Sequence, residues 1–164
     1  MKDFIKIPDK KKDLLKKKPE IRIMIERNTN TKISLNEDVE IDGESLDIFI
    51  AKNVLKAFGR GFTIEDSLKL LDDEYGLEII SLTDFVSSKN RLETVKARII
   101  GTRGKTKKYI ESYTNSKVSI YGKTVSLIGK WDDLATAKEA VMMLIHGSPH
   151  ATVYRWLEQR AKVF

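Results

Sequence analysis

The stretch IIGTRGKTKKYIESYTNSKVSI, residues 99–120, has a counterpart earlier in the same chain, LLKKKPEIRIMIERNTNTKISL, residues 14–35. The two stretches align without a gap at an offset of 85 residues. The identical pairs are Ile25/Ile110, Glu26/Glu111, Thr29/Thr114, Asn30/Asn115, Lys32/Lys117 and Ser34/Ser119. Self-similarity at a fixed offset indicates an internal duplication, although the two glycines of GTRG occur only in the second copy.

The similarity continues downstream at an offset of 86 residues, in an apolar pattern with helical spacing. The paired positions are Ile48/Leu134, Ala51/Ala137, Leu55/Val141 and Phe58/Leu144, followed by Gly61/Gly147. Steps of three and four residues place these side chains on one face of a helix, and a glycine commonly follows a helix end. Each copy is therefore predicted to contain a helix that buries the same face and ends near the same glycine.

The second copy shows a clear order of elements. LEIISL at 77–82 predicts a strand, and a helical stripe leads to GTRG, after which KTKKYIESYT predicts a second helix. SKVSI and TVSLIG, separated by the Gly122-Lys123 turn, predict two more strands, and residues 132–145 predict an amphipathic helix. Ser148 and Pro149 are predicted as the N-cap and first position of a last helix. The expected fold is α+β, with three short antiparallel strands covered on one face by three helices in each copy.

Composition and charge restrict the class of protein. The chain has 164 residues and no cysteine, which excludes disulfides and thiolate metal sites. It has no apolar run of the roughly 20 residues that a membrane span needs and no signal peptide, so we expect a cytoplasmic protein. Residues 36–84 hold 13 acids against four bases, whereas residues 89–130 hold 11 bases against two acids. This segregation favours a polyanionic partner for the second copy.

The GTRG loop is the most informative stretch for function. Gly101 and Gly104 carry no side chain, which leaves room for the backbone of a ligand to approach the loop closely. The helix that follows directs free N–H groups and a partial positive charge at a phosphate. The remaining candidate contacts around the loop are Thr102, Arg103, Lys105, Lys107 and Lys108.

An apolar pair, Gly-x-x-Gly, a basic helix and a Thr-Asn turn into a strand together resemble the core of a KH domain of the eukaryotic topology (type I). The resemblance implies that about four unpaired nucleotides lie between the loop and the second strand. The candidate groove residues are Ile99, Ile100, Lys117 and Ser119. The first copy has Lys16-Lys17-Lys18-Pro19 in place of the glycine loop, so it resembles a degenerate KH domain. We expect a degenerate domain at 1–75 and an intact one, with a C-terminal helix, at 76–164.

The pairing of these domains, with GRGF at 59–62, YGKTVSLIG at 121–129 and PHATVYR at 149–155, resembles archaeal members of the partner-of-Nob-one/Dim-two family of ribosome biogenesis. That resemblance implies binding to the 3′ end of small-subunit ribosomal RNA. It also implies two protein partners, the Nob-one endonuclease and the α subunit of translation initiation factor two.

Other functions are less well supported by the residues. His146 and His150 have the spacing of a metal pair, but Gly147 and Pro149 lie between them, and a capping or surface role is favoured over ligation. We therefore predict a non-enzymatic protein without metal or cofactor. Two alternatives stay open: a general regulator of messenger RNA, and a protein adaptor. The candidate adaptor residues are Glu37, Asp38, Glu40, Asp42 and Trp156.

Overall fold

The computed structural model describes residues 1–161, so the last three residues of the predicted second domain, 162–164, lie outside the described part. The chain divides into two compact units, Met1–Tyr75 and Gly76 onward. Within residues 1–161, no helix is both long enough and apolar enough to cross a membrane.

The first unit consists of a three-stranded sheet and the helices that follow its strands. Its elements in chain order are β1 (Lys2–Ile5), α1 (Asp9–Lys17), α2 (Pro19–Thr29), β2 (Lys32–Leu35), β3 (Val39–Asp42), α3 (Ser45–Gly59) and the short α4 (Ile64–Ser67), before a 3-10 turn at Leu68–Leu71. Strand β3 lies in the centre and pairs antiparallel with β1 and with β2. The sheet order is therefore first, third, second.

The second unit repeats this order of elements. Its first strand, β4 (Tyr75–Ser81), begins at the last residue of the first unit. The strand is followed by a 3-10 turn at Leu82–Asp84, α5 (Lys89–Ile100), a 3-10 turn at Thr102–Gly104, α6 (Lys105–Thr114), β5 (Lys117–Tyr121), β6 (Thr124–Lys130), α7 (Trp131–Ile145) and α8 (His150–Ala161). Strand β6 lies between β4 and β5, and pairs antiparallel with β5. The α+β class with antiparallel sheets is confirmed.

The start of the last helix differs slightly from the prediction. Helix α8 begins at His150, and the Pro149 carbonyl accepts a hydrogen bond from the Val153 N–H at 3.2 Å. Pro149 thus occupies the N-cap position that was predicted for Ser148. A proline there is tolerated because the first N–H groups of a helix have no partner within it.

The helical stripe that the duplication predicts is buried in both units. The eight residues Ile48, Ala51, Leu55, Phe58, Leu134, Ala137, Val141 and Leu144 are at most 4% exposed. Helices α3 and α7 each end two residues before the paired glycine, and Gly61 and Gly147 have φ values of 96° and 95°. The prediction of matching helices that end near matching glycines is confirmed.

The identical glutamates of the duplication make the same tertiary hydrogen bond. The Glu111 carboxylate on α6 accepts the backbone N–H of Val118 on β5 at 3.0 Å. In the first unit, the Glu26 carboxylate accepts the backbone N–H of Ile33 on β2 at 2.7 Å. Each glutamate therefore satisfies a peptide group on the outer edge of an edge strand, where no neighbouring strand is present.

The identical Thr-Asn pair ends the helix before that strand. Thr114 donates its hydroxyl hydrogen to the Ile110 carbonyl at 2.6 Å, and Asn115 adopts a left-handed conformation with φ 49°. Thr29 and Asn30 repeat both features, with a 2.7 Å hydrogen bond and φ 55°. Asparagine is one of the few residues that adopt this conformation readily, which explains why it is retained in both copies.

Candidate nucleic-acid interface

The GTRG loop forms a tight left-handed turn between α5 and α6. Gly101, Arg103 and Gly104 have φ values of 76°, 56° and 74°. The Gly101 N–H donates to the Ala97 carbonyl at 2.8 Å, and the Gly104 N–H donates to the Gly101 carbonyl at 3.1 Å. The loop is thus held by the end of α5 and by its own backbone, and it places α6 directly behind it.

The two glycines of the loop have different physical reasons to be glycine. A Cβ atom on Gly101 would lie 2.2 Å from Thr106 Oγ1 and 2.7 Å from the Thr106 nitrogen, and Thr106 is only 1% exposed. A Cβ atom on Gly104 would meet nothing within 4 Å. The expectation that both glycines leave room for a ligand therefore fits Gly104, whereas Gly101 is required by packing inside the protein.

The N-terminus of α6 is not capped by a side chain and has cations around it. Its N-cap is Gly104, so no side chain accepts a hydrogen bond from the first-turn N–H groups. Arg103, Lys105 and Lys108 are exposed around it, and Lys107 is half-buried. None of these four cations forms a salt bridge with another described residue. Together with the helix dipole, they favour a phosphate at this position.

The surface beside the loop is concave. A depression of about 800 Å³ is lined by Thr102, Arg103, Lys105, Lys108, Tyr109, Ser112 and Tyr113. A second depression, of about 640 Å³, lies between the start of α5 and the β5–β6 turn, and its lining includes Lys89, Lys96 and Lys123. The lining of the second depression extends along α5 from its start to Lys96, which lies five residues, or about 8 Å along the helix, before Gly101.

The predicted groove residues are not equally accessible. Ile100 is 36% exposed at the end of α5, and Lys117 is exposed at the start of β5. Ile99 is 0% exposed and belongs to the core, so its predicted place in the groove is wrong. Ser119 is 9% exposed and lies opposite Ser126, so its side chain offers little surface.

The backbone of β5 supplies a groove feature that sequence reasoning missed. Because the Val118 N–H donates to α6, the Val118–Leu127 pair points its peptide groups away from the partner strand. Antiparallel pairs alternate, so the Ile120–Val125 pair does the same. The N–H and C=O of Ile120 therefore point to the outer edge of β5. No side-chain pattern reveals this, since it depends on the strand register.

With this geometry in view, comparisons with known proteins are informative. A family model described as eukaryotic type KH-domain (KH-domain type I) matches residues 76–162. A KH domain-containing protein of Methanocaldococcus jannaschii is 40% identical over 170 residues, which cover 98% of this chain and 75% of that protein. The pre-rRNA-processing protein pno1 of Aspergillus fumigatus is 37% identical over 107 residues, covering 63% of this chain and 42% of that protein.

The chain belongs to the partner-of-Nob-one/Dim-two family. Among solved structures, the a/eIF2alpha-aDim2p-rRNA complex from Pyrococcus horikoshii OT3 contains a similar chain, with a TM-score of 0.88 and 38% identity. That match covers 100% of this chain and 96% of the other. The family prediction made from GRGF, YGKTVSLIG and PHATVYR is confirmed, although the chain spans less than half of the fungal relative.

The acidic residues predicted to contact a protein partner of this family member fall into two groups. Glu40 lies 3.7 Å from Lys2 Nζ, and Asp42 lies 3.6 Å from the amino group of Met1. These two carboxylates are thus engaged with the first two residues of the chain. Glu37 and Asp38 occupy the β2–β3 turn and form no salt bridge with another described residue, so they are the better candidates.

Trp156, His146 and His150 each contact other residues of the second unit. Trp156 is half-buried on α8 against the core of the second unit, with the Arg160 guanidinium carbon 4.9 Å from its ring centroid. A His150 ring nitrogen lies 2.9 Å from the Arg98 carbonyl, and the His146 ring packs edge-on to Phe85. Over residues 1–161, no three His, Cys, Asp or Glu side chains are grouped to hold a metal ion.

Proposed function

We propose that this chain binds unpaired RNA through its second unit and acts in the assembly of the small ribosomal subunit. The observation that carries the proposal is the open N-terminus of α6, where Gly104 leaves space beside uncapped N–H groups. This space lets a nucleic-acid backbone approach closely, and four cations lie nearby. Both features suit a phosphate rather than a base.

The bases would lie along the surface between the loop and β5. Ile100 offers an apolar contact, and the outward peptide groups of Ile120 offer one donor and one acceptor to a base edge. About four nucleotides fit this mode of binding in KH domains. A duplex would not fit, because its bases are already paired and stacked. The proposal therefore requires single-stranded RNA.

The target within the ribosome is proposed from the relatives. The fungal relative is named as a pre-rRNA-processing protein, and the Pyrococcus complex contains rRNA and eIF2alpha. We infer that this chain binds the 3′ end of small-subunit ribosomal RNA in the cytoplasm. The proposed protein partners are the Nob-one endonuclease and the α subunit of translation initiation factor two.

The first unit is proposed to be a degenerate KH domain. It has the element order and sheet order of the second unit. Lys18 separates α1 from α2, and Pro19 begins α2, so both glycines and one N–H donor are absent where the second unit has its loop. Lys16, Lys17 and Lys18 are exposed and would supply only loose phosphate contacts.

A protein adaptor is the second candidate function, and the unpaired acids of the β2–β3 turn favour it. Crosslinking of RNA to the chain in cell lysate, followed by mapping of the crosslinked sites, distinguishes the candidates. We expect a single peak at the ribosomal 3′ end. A spread over messenger RNAs would support a general regulator instead, and recovery of no specific RNA crosslink would support the adaptor.

A further inference from the structure

Helices α6 and α8 hold three tyrosine rings in one stack. The Tyr154 and Tyr109 ring centroids lie 4.1 Å apart with an interplanar angle of 27°, and those of Tyr109 and Tyr113 lie 4.6 Å apart at 24°. Tyr113 ends the stack and is 40% exposed. The stack therefore ends in an aromatic ring that is accessible to a further planar group.

Hydrogen bonds hold the other two rings, Tyr109 and Tyr154, in place. The Tyr154 hydroxyl lies 2.9 Å from Thr106 Oγ1, and the Tyr109 hydroxyl donates to Glu158. The hydrogen bond to Glu158 raises the pKa of Tyr109 above its ordinary value. The outer ring thus rests on a support whose orientation is already set, which lowers the entropy cost of stacking against it.

The charged residues that line the depression beside the stack are positive, and the Glu158 carboxylate, which accepts from Tyr109, is not part of that lining. Lys105 Nζ lies 5.9 Å from the Tyr154 ring centroid, and Lys108 lies one turn further along the exposed side of α6. Both lysines line the same depression as Tyr113 and the loop residues Thr102 and Arg103. A ligand with an aromatic plane and adjacent negative charge fits this surface, and a nucleotide has both features.

We propose that Tyr109, Tyr113, Lys105 and Lys108, here called the tyrosine platform, form a second subsite for the single-stranded RNA that the loop binds. This inference rests on the proposed function. One base stacks on Tyr113, and the neighbouring phosphates lie at the two lysines. Tyr113 lies nine positions after Gly104, which is about 14 Å along the helix. The strand therefore continues from the loop across α6, and the platform takes any base, because stacking is tolerant of sequence.

The test uses the full chain and two unpaired oligomers taken from the 3′ end of small-subunit ribosomal RNA. The shorter one, of about four nucleotides, fills only the groove. The longer one, of about 12 nucleotides, also reaches the platform. Tyr113→Ala is expected to weaken the longer oligomer about tenfold, within the range measured for loss of one stacked base, and to leave the shorter one unchanged. Tyr113→Phe keeps the ring and should bind both as the unchanged protein does.

A second variant and a local fluorescent probe distinguish the loss of a stacking contact from misfolding. Ser112→Glu keeps all three rings but places a negative charge in the depression, and it should weaken the longer oligomer more than the shorter one. A fluorescent 2-aminopurine base is placed at each position of the longer oligomer in turn. At one position outside the groove, its fluorescence should be quenched when the oligomer binds Tyr113→Phe but not when it binds Tyr113→Ala.

The outcomes separate this inference from the proposed function. Unchanged binding of the longer oligomer by Tyr113→Ala overturns the platform. Equal weakening of both lengths also overturns it, because Tyr113 would then act through the geometry of the loop. If the unchanged protein binds neither oligomer, the proposed function itself is wrong.

Discussion

Replacing each loop glycine with aspartate separates a phosphate site from a packing site. Gly104→Asp adds a carboxylate at the N-terminus of α6, where nothing lies within 4 Å of the new Cβ atom. The carboxylate would occupy the position of a phosphate and repel it. Since φ is 74°, the left-handed conformation costs aspartate about 1–2 kcal/mol, partly offset by about 0.3–1 kcal/mol from the helix dipole.

Gly101→Asp should act mainly on stability. Its backbone, at φ 76° and ψ 171°, lies in a region that only glycine adopts readily, which costs other residues about 1–3 kcal/mol. The overlap with Thr106 adds about 1–3 kcal/mol of overpacking. We therefore expect a loss of about 2–6 kcal/mol for Gly101→Asp and of roughly 1 kcal/mol for Gly104→Asp.

Fluorescence anisotropy with a labelled, unpaired ribosomal 3′-end oligomer measures affinity, and urea unfolding measures stability. Folded Gly104→Asp should bind at least tenfold more weakly, about 1.4 kcal/mol. Gly104→Asn is the matched control, because it has the same shape without the charge and should retain more affinity. Binding by Gly104→Asp equal to that of the unchanged protein would refute the phosphate site. Equal urea midpoints for both aspartate variants would refute the packing role of Gly101.

The other predictions concern charge, the edge strand and the partner surface. The double variant Lys105→Ala/Lys108→Ala should weaken the binding of all unpaired RNA sequences about equally. It should also reduce the slope of log affinity against log salt by up to roughly 1.4. Weaker binding of one sequence alone would contradict this prediction. Glu111→Ala should lower the free energy of unfolding by about 1–3 kcal/mol in urea denaturation, because the Val118 N–H loses its acceptor. Reversing the charge of Glu37 and Asp38 should reduce capture of the endonuclease or the initiation-factor subunit in titrations and leave RNA affinity unchanged; the opposite result would reverse the proposed roles of the two units.

The internal duplication made most of the fold predictable, because the residues that the two copies share are those that the topology requires. Glu111, Thr114 and Asn115 end α6 and secure β5, and their partners in the first copy do the same. The patterns that mark helix ends and apolar helix faces extend over only a few residues, so they can be recognised in the sequence. The boundary of α8 was one residue off for the same kind of local reason, since proline and serine both suit a helix start.

Only part of the candidate site could be predicted from the sequence. The pattern located the loop and its cations but treated Ile99 and Ile100 alike, and only the orientation of α5 shows that Ile99 faces the core. Tyr109 and Tyr113 have the i,i+4 spacing of neighbouring rings on a helix, which was an available signal. Tyr154 joins them from 41 residues beyond Tyr113, and nothing local indicates that contact.

The amino-acid sequence by itself determined the element order, the buried stripes and the position of the glycine loop, because these follow from propensity and spacing along the chain. Tertiary structure alone decided which glycine is open, which isoleucine is buried and which peptide groups of β5 face outward. The physical reason is that each depends on atoms from elements that are distant in sequence. Gly101 is closed by a threonine that α6 turns back toward the loop, whereas Gly104 faces open space.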